Sequence, residues 1–187
     1  MAPEETRTQA AQAGQGPQEP SAPAEVEGEA SQGTFTPARL IDQLAERGFG
    51  IADHFVDDAL LAGLRERCRE LNAAGDLRPA KVGRGANERL APEVRGDFIS
   101  WVQAPERDAE QRLLAKFDSL RAELNRALMA GLEDYQGHFA IYPRGASYAR
   151  HFDRLVGSDV RAISAALYLN DAWLPEHGGH LRIEVAK

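Results

Sequence analysis

After Leu132 the hydrophobic pattern of the chain changes its period, and this change limits the fold more than any other feature. Before it, Leu113, Phe117, Leu120, Leu124 and Leu128 recur at intervals of three and four, predicting a helix from about Glu106 to Leu132. Beyond it lie short segments bounded by Gly, Pro and Asn: His138–Tyr142, Tyr148–Asp153, Ile163–Asn170 and His180–Val185. No helical pattern separates these segments, so as strands they must pair mostly antiparallel. Helices followed by consecutive strands predict an α+β protein, with helices packed on one side of a sandwich or barrel.

Upstream, Thr36-Pro37 offers a cap position followed by proline at the first helical residue, and Leu40, Ile41, Leu44 and Ala45 carry a helix to the stop at Gly48. Phe49 to Phe55 reads as a short strand. Asp57 to Asn72 reads as a second helix, closed by Ala73-Ala74-Gly75. Cys68 falls in the apolar row Leu60, Leu64, Cys68, Leu71, which assigns it to packing rather than to reactivity. Residues 76 to 94 are rich in Arg, Lys, Gly and Pro without periodicity, the pattern of a long loop, either a solvated surface segment or a cover over a site. Gly83-Arg84-Gly85 lacks a framing strand and helix, so it is no phosphate cradle. Asp97 to Val102 is a further expected strand.

Residues 1–34 differ in kind. They contain no aromatic residue and are dominated by Ala, Gln, Glu, Gly and Pro, a composition that cannot offset ordering entropy and predicts a disordered acidic tail. Six of the 29 acidic residues and one of the 22 basic residues lie there, which leaves residues 35–187 near neutrality. A near-neutral domain gives no electrostatic reason to expect nucleic acid. No apolar run is long enough to span a membrane, and the N-terminus lacks the pattern of a signal peptide. With one cysteine no internal disulfide exists, and the expected location is the cytoplasm.

His151-Phe152-Asp153 carries the chemistry. Alternate side chains of an extended segment project from one face, so His151 and Asp153 share a face. An imidazole beside a carboxylate supplies two members of the 2-His-1-carboxylate set that holds Fe(II) with coordination positions open. Ala140 and Tyr142 share a face of their strand, and in the next Ile163, Ala165, Leu167 and Leu169 oppose Ser164, Ala166, Tyr168 and Asn170. Tyr142 and Tyr168 are therefore candidates to line the same cavity, where phenol hydroxyls suit an anionic co-substrate. Singly, each is equally a core aromatic with its hydroxyl at the rim.

Four segments in order extend the motif: Tyr142-Pro143; Tyr148-Ala149-Arg150-His151-Phe152-Asp153; Ala166-Leu167-Tyr168-Leu169-Asn170-Asp171-Ala172-Trp173; and Gly178-Gly179-His180-Leu181-Arg182. Together, over about residues 36–187, they resemble the prolyl 4-hydroxylase branch of the Fe(II)/2-oxoglutarate dioxygenases, in particular bacterial relatives of the hypoxia-sensing prolyl hydroxylases. Arg95-Gly96-Asp97 with Trp101 resembles that group's approach to its core. The resemblance implies a double-stranded β-helix (jelly-roll) core over residues 35–187, flanked by the N-terminal helices. It implies His151 and Asp153 as iron ligands, and Tyr142, Tyr168 and Leu181 as lining of the 2-oxoglutarate pocket. Tyr148 falls beside the metal, and Arg95 and Asp97 near a mobile substrate loop, which makes residues 76–94 the expected lid. Implied too are Fe(II), 2-oxoglutarate and O₂, with ascorbate as reductant, and a protein substrate carrying a target proline. Its hydroxylation yields succinate and CO₂ as co-products.

The family's second iron histidine, and the basic residue that pairs with the far carboxylate of 2-oxoglutarate, lie on later strands. Neither has a counterpart in residues 1–187. The expectation is that this chain is the N-terminal and central part of such a domain, its last strands missing, and inactive as written. Strand parity sets His180 opposite Leu181, and His177 falls in the turn; His138 lies one strand early and His54 outside the core strands. The alternative is a non-catalytic protein-binding module built on the same fold.

Overall fold

The computed structural model describes residues 35–83, 85, 88–153 and 162–185. The acidic segment 1–34 lies outside them. Among the described residues, three α-helices, a 3-10 turn at Pro175–His177 and two small antiparallel sheets make up the regular structure. Helix α1, Pro37–Arg47, begins at proline and ends at Gly48, whose φ of 75° is the left-handed value glycine adopts without cost. Thr36 occupies the cap position, but its side chain makes no capping hydrogen bond. Helix α2, Asp58–Ala74, is capped by Asp57, which accepts the Leu60 N–H at 2.7 Å, and closes at Gly75.

Helix α3, Asp108–Leu128, is shorter at both ends than the sequence pattern predicts. Its start is fixed by Glu110, whose Oε2 accepts the N–H groups of Glu106 and Arg107 at 2.7 and 3.0 Å. It stops because Met129 turns left-handed, after which the Asn125 side chain bonds both N–H and C=O of Leu132. Leu132 therefore belongs to the loop.

Strands β1 (Arg78–Pro79), β4 (Phe98–Trp101) and β5 (His138–Ile141) form one sheet in the order β1-β4-β5. β2 (Lys81–Val82) and β3 (Arg89–Leu90) form a separate two-stranded ribbon. Both lie partly or wholly in the segment expected to be one long loop. Pieces of two residues carry no periodicity, so pattern reading cannot see them. The core is a cluster of Phe55, Val56, Leu60, Leu64, Leu71, Leu77, Ala109 and Phe139, joining α2, the start of α3 and the inner face of β5. Cys68 packs against it, and burial pushes its thiol pKa up. The helical row Leu113, Phe117 and Leu120 packs against the same cluster, with Leu124 buried.

Four expected strands take other forms. Phe49–Phe55 is irregular: the Gln43 side chain accepts the Ile51 N–H at 2.7 Å, and His54 adopts a φ of 55° that breaks extension. Tyr148–Asp153 contributes a single antiparallel bridge, Tyr148 to Arg95. Residues 163–170 and 180–185 run outside any ladder. A strand is defined by its partner, and 163–170 is instead held by side chains. Leu167 and Leu169 pack on the core while Tyr168 and Asn170 stay exposed, so the expected alternation survives there. No helix among the described residues is long and apolar enough to cross a membrane.

Candidate functional site

The β4–β5 ladder creates the site's geometry. It pairs Phe98 with Ile141 and Trp101 with His138. Three residues before Phe98, however, Arg95 pairs with Tyr148. The turn that starts at Pro143 therefore loops four residues out of register, closed by the Ala146 N–H on the Pro143 carbonyl at 2.9 Å, with Gly145 at a φ of 82°. Gly96 lets this turn approach, because a β-carbon there would stand 3.1 Å from that of Ala146. The result sets residues 94–97 beside 147–151. The Ala149 N–H reaches the Val94 carbonyl at 2.8 Å and the Gly96 N–H reaches that of Ser147 at 3.0 Å.

At this junction four of the predicted residues form a column. Asp97, 1% exposed, accepts both arms of the Arg95 guanidinium, Nε at 2.7 Å and Nη2 at 2.9 Å. That guanidinium lies over the Tyr148 ring, 4.7 Å from its centroid. The Tyr148 ring stacks on His151 at 3.7 Å and 14°. The carboxylate's hydrogen bonds raise the Arg95 pKa against desolvation, which acts to lower it, so the guanidinium keeps its charge.

His151 and Asp153 face each other: Nε2 stands 3.1 Å from Oδ1, while Nδ1 lies 2.8 Å from the Ala149 carbonyl. A carbonyl only accepts, so Nδ1 carries the hydrogen and, in neutral imidazole, Nε2 presents a lone pair. That lone pair confronts a carboxylate oxygen. Two acceptors at this distance are compatible only with a cation between them, a proton or a metal ion. Two ligand atoms bound at right angles, each about 2.1 Å from a first-row metal, stand about 3 Å apart. The Nδ1–H to carbonyl bond is the usual support behind a metal-binding histidine. The donor pair thus fits iron. Among the described residues, no group of three or more His, Cys, Asp or Glu is placed to hold a metal.

The remaining predicted residues are arranged more loosely. Tyr142 is half exposed, yet burial of its hydroxyl raises its pKa, the Asp97 charge raises it further and Arg95 opposes the rise. It therefore keeps its proton and is able to donate a hydrogen bond. Tyr148 and Tyr168 also act on its titration, which puts them within electrostatic reach. The Tyr168 hydroxyl donates to the Gly179 carbonyl at 3.1 Å. Leu181 is exposed on the 180–185 segment, which Glu184 ties to Arg150 at 2.6 Å.

Three of the other four histidines have structural contacts. His180 meets Trp173 edge-on at 4.9 Å, and the His177 Nδ1 accepts the Leu174 N–H at 3.2 Å. His138 meets Trp101 at 4.8 Å. Sequence reading missed what holds the Tyr168 segment in place. From α2, Arg65 donates to the carbonyls of Leu169, at 2.6 Å, and Asn170, and pairs with Asp171 at 2.8 Å; Arg69 meets the same carboxylate at 2.9 Å. The available signal was two arginines four apart on one helix, facing away from the apolar row.

Residues 137–187 match the family model of the 2OG-Fe(II) oxygenase superfamily. The chain is similar to members of that superfamily, prolyl hydroxylases among them. It is 32% identical over 155 residues to prolyl hydroxylase EGLN3 of Homo sapiens, covering 77% of this chain and 62% of the relative. A Pseudomonas putida prolyl-4-hydroxylase superposes with a TM-score of 0.58 at 39% identity, over 63% of this chain and 61% of that one. A prolyl hydroxylase from Trichoplax adhaerens, solved with a hypoxia inducible factor oxygen degradation domain peptide fragment, superposes at 0.52 with 26% identity, over 63% and 54%. The chain thus spans about three-fifths of the length of the relatives it matches.

Proposed function

We propose that this chain carries the iron and co-substrate half-site of a dioxygenase that hydroxylates a prolyl residue in a protein substrate. The observation that carries the reading is the opposition of His151 Nε2 and Asp153 Oδ1 at 3.1 Å, with Nδ1 anchored behind. In this reading His151 and Asp153 hold Fe(II). When bound, the iron supplies activation of O₂ by 2-oxoglutarate, which leaves as succinate and CO₂ while the substrate carbon gains a hydroxyl.

The chain's own residues bind and orient. Tyr142, kept protonated, donates to an oxygen of the 2-oxoglutarate anion. Tyr168, on the segment that Arg65 grips, stands at the far carboxylate, and Leu181 forms an apolar wall. The ribbon of β2 and β3 covers a peptide substrate, a role supported by the peptide bound to the Trichoplax relative. The three-stranded sheet and the extended segments 163–170 and 180–185 are part of a double-stranded β-helix. Ascorbate is the expected reductant and the cytoplasm the expected location.

Residues 1–187 offer two iron ligands of the family's three and lack the basic partner for 2-oxoglutarate, so on their own they turn over no co-substrate. The test is Fe(II)-dependent 2-oxoglutarate consumption by residues 1–187 beside a chain extended by what the gene encodes after codon 187. Turnover only in the extended chain supports the proposal. Turnover by 1–187 alone overturns the two-ligand argument. A gene without a later strand bearing His and then Arg or Lys favours the protein-binding module, as does an extended chain that folds and never turns over.

A further inference from the structure

Arg95, Asp97 and Tyr148 were expected beside the metal and the substrate loop, and the structure gives them a more specific relation to the half-site. His151 is held from two sides. Its face stacks on Tyr148 at 3.7 Å, and its Nδ1–H edge bonds the Ala149 carbonyl at 2.8 Å. Both contacts trace back to one segment. Tyr148 bridges Arg95 and lies beneath its guanidinium, and the Ala149 N–H is bonded to the Val94 carbonyl at 2.8 Å. The guanidinium is itself locked by two hydrogen bonds to the buried Asp97 carboxylate.

An imidazole has two side-chain torsions. A stacked face and a bonded edge fix both, leaving Nε2 aimed at Asp153. The residue as a whole is exposed. A surface histidine without this backing would lose rotamer entropy at the moment of binding a metal. The column pre-sets the rotamer during folding instead.

We propose that Arg95, Asp97 and Tyr148 are positioning residues for His151: a stacked column, anchored on a buried carboxylate, that pre-orients the imidazole for the metal. This rests on the reading of His151 and Asp153 as metal ligands, and its test separates the two. The probe is Mn(II) added to isotopically labelled full chain, followed by NMR of the His151 ring. Two quantities are read: the upfield ring-current shift that Tyr148 imposes on His151, and the Mn(II) concentration at which the His151 signals broaden. His138, beside Trp101, reports whether the fold is intact.

Tyr148→Phe keeps a flat ring and should preserve both quantities. Tyr148→Leu should abolish the shift and raise the apparent Mn(II) dissociation constant about three- to tenfold, the range of one aromatic stack. Arg95→Ala, which frees the Tyr148 ring, should move both in the same direction by less. If Mn(II) leaves His151 of the unaltered chain sharp, the metal reading fails, and the ring shift in Arg95→Ala, which keeps the Tyr148 ring, still decides whether the column orients the imidazole. If Arg95→Ala keeps the shift in full, or if Tyr148→Leu and Arg95→Ala broaden at the unaltered Mn(II) concentration with His138 unchanged, the column has no positioning role.

Discussion

Replacing Asp97 tests the anchor of the site, and its cost can be worked from the structure. The carboxylate is fully enclosed, and both oxygens are used by Arg95, whose side chain is 16% exposed. Asp97→Ala leaves a mostly buried guanidinium without its counter-charge, a loss of about 3–5 kcal/mol. Asp97→Asn keeps the shape but removes the charge and turns an amide N–H₂ toward guanidinium N–H, at a cost of about 2–3 kcal/mol. A domain of this size has about 5–15 kcal/mol in total, so either change is a large fraction. Urea unfolding followed by Trp101 and Trp173 fluorescence measures it. With a slope of about 2 kcal/mol per molar, the Asn variant should shift the midpoint down by about 1–1.5 M without changing the slope. Arg95→Met on the Asp97→Ala background should recover much of the loss, because removing both partners leaves no orphan charge. A loss below about 0.5 kcal/mol for Asp97→Asn, or additive losses in the double variant, would refute the buried-pair argument.

Other outcomes follow from the packing. Leu64→Ala, at a fully buried position of α2, should cost about 2–5 kcal/mol in the same urea assay. Gly63→Ala should also destabilise, by about 1–3 kcal/mol, because its β-carbon would stand 2.9 Å from that of Ala109 and force α2 from α3. Arg65→Ala should speed amide exchange in residues 163–171 by at least about tenfold, the weight of one charge-assisted hydrogen bond, while α3 amides stay protected. Glu110 has a depressed pKa: burial would raise it, but the Arg107 N–H, Arg67 and the Glu106 N–H together outweigh burial. Its stabilising contribution is therefore complete above the ordinary value of 4.5 and fades as pH falls through the lower folded value. Glu110→Gln should flatten the acid limb of stability against pH, and an unchanged limb would show that other carboxylates set it.

The helices were legible because each carries period, cap and stop in consecutive residues: Asp57 and Gly75 bound α2 as their chemistry requires. The end of α3 was not, since Leu128 and Leu132 have the same spacing and only the left-handed turn at Met129 separates them. Strand existence depends on a distant partner. His138–Ile141 finds one in β4, whereas 163–170 is gripped by Arg65, a contact 104 residues away that no local pattern encodes. The His151–Asp153 pairing was readable from alternation, but the column behind it was not. It depends on four residues looped out after Ile141, which shift Arg95 from opposite residue 144 to opposite Tyr148.

The central claim is that His151 and Asp153 are two iron ligands of a 2-oxoglutarate-consuming site. The most direct measurement is Fe(II)-dependent release of labelled CO₂ from 2-oxoglutarate by the chain extended by what the gene encodes after codon 187, beside His151→Ala and Asp153→Ala in that same extended chain. The account predicts release by the unaltered extended chain and its abolition in both variants, each still folded by urea titration. Undiminished release by either variant, or none by a folded unaltered extended chain, contradicts it.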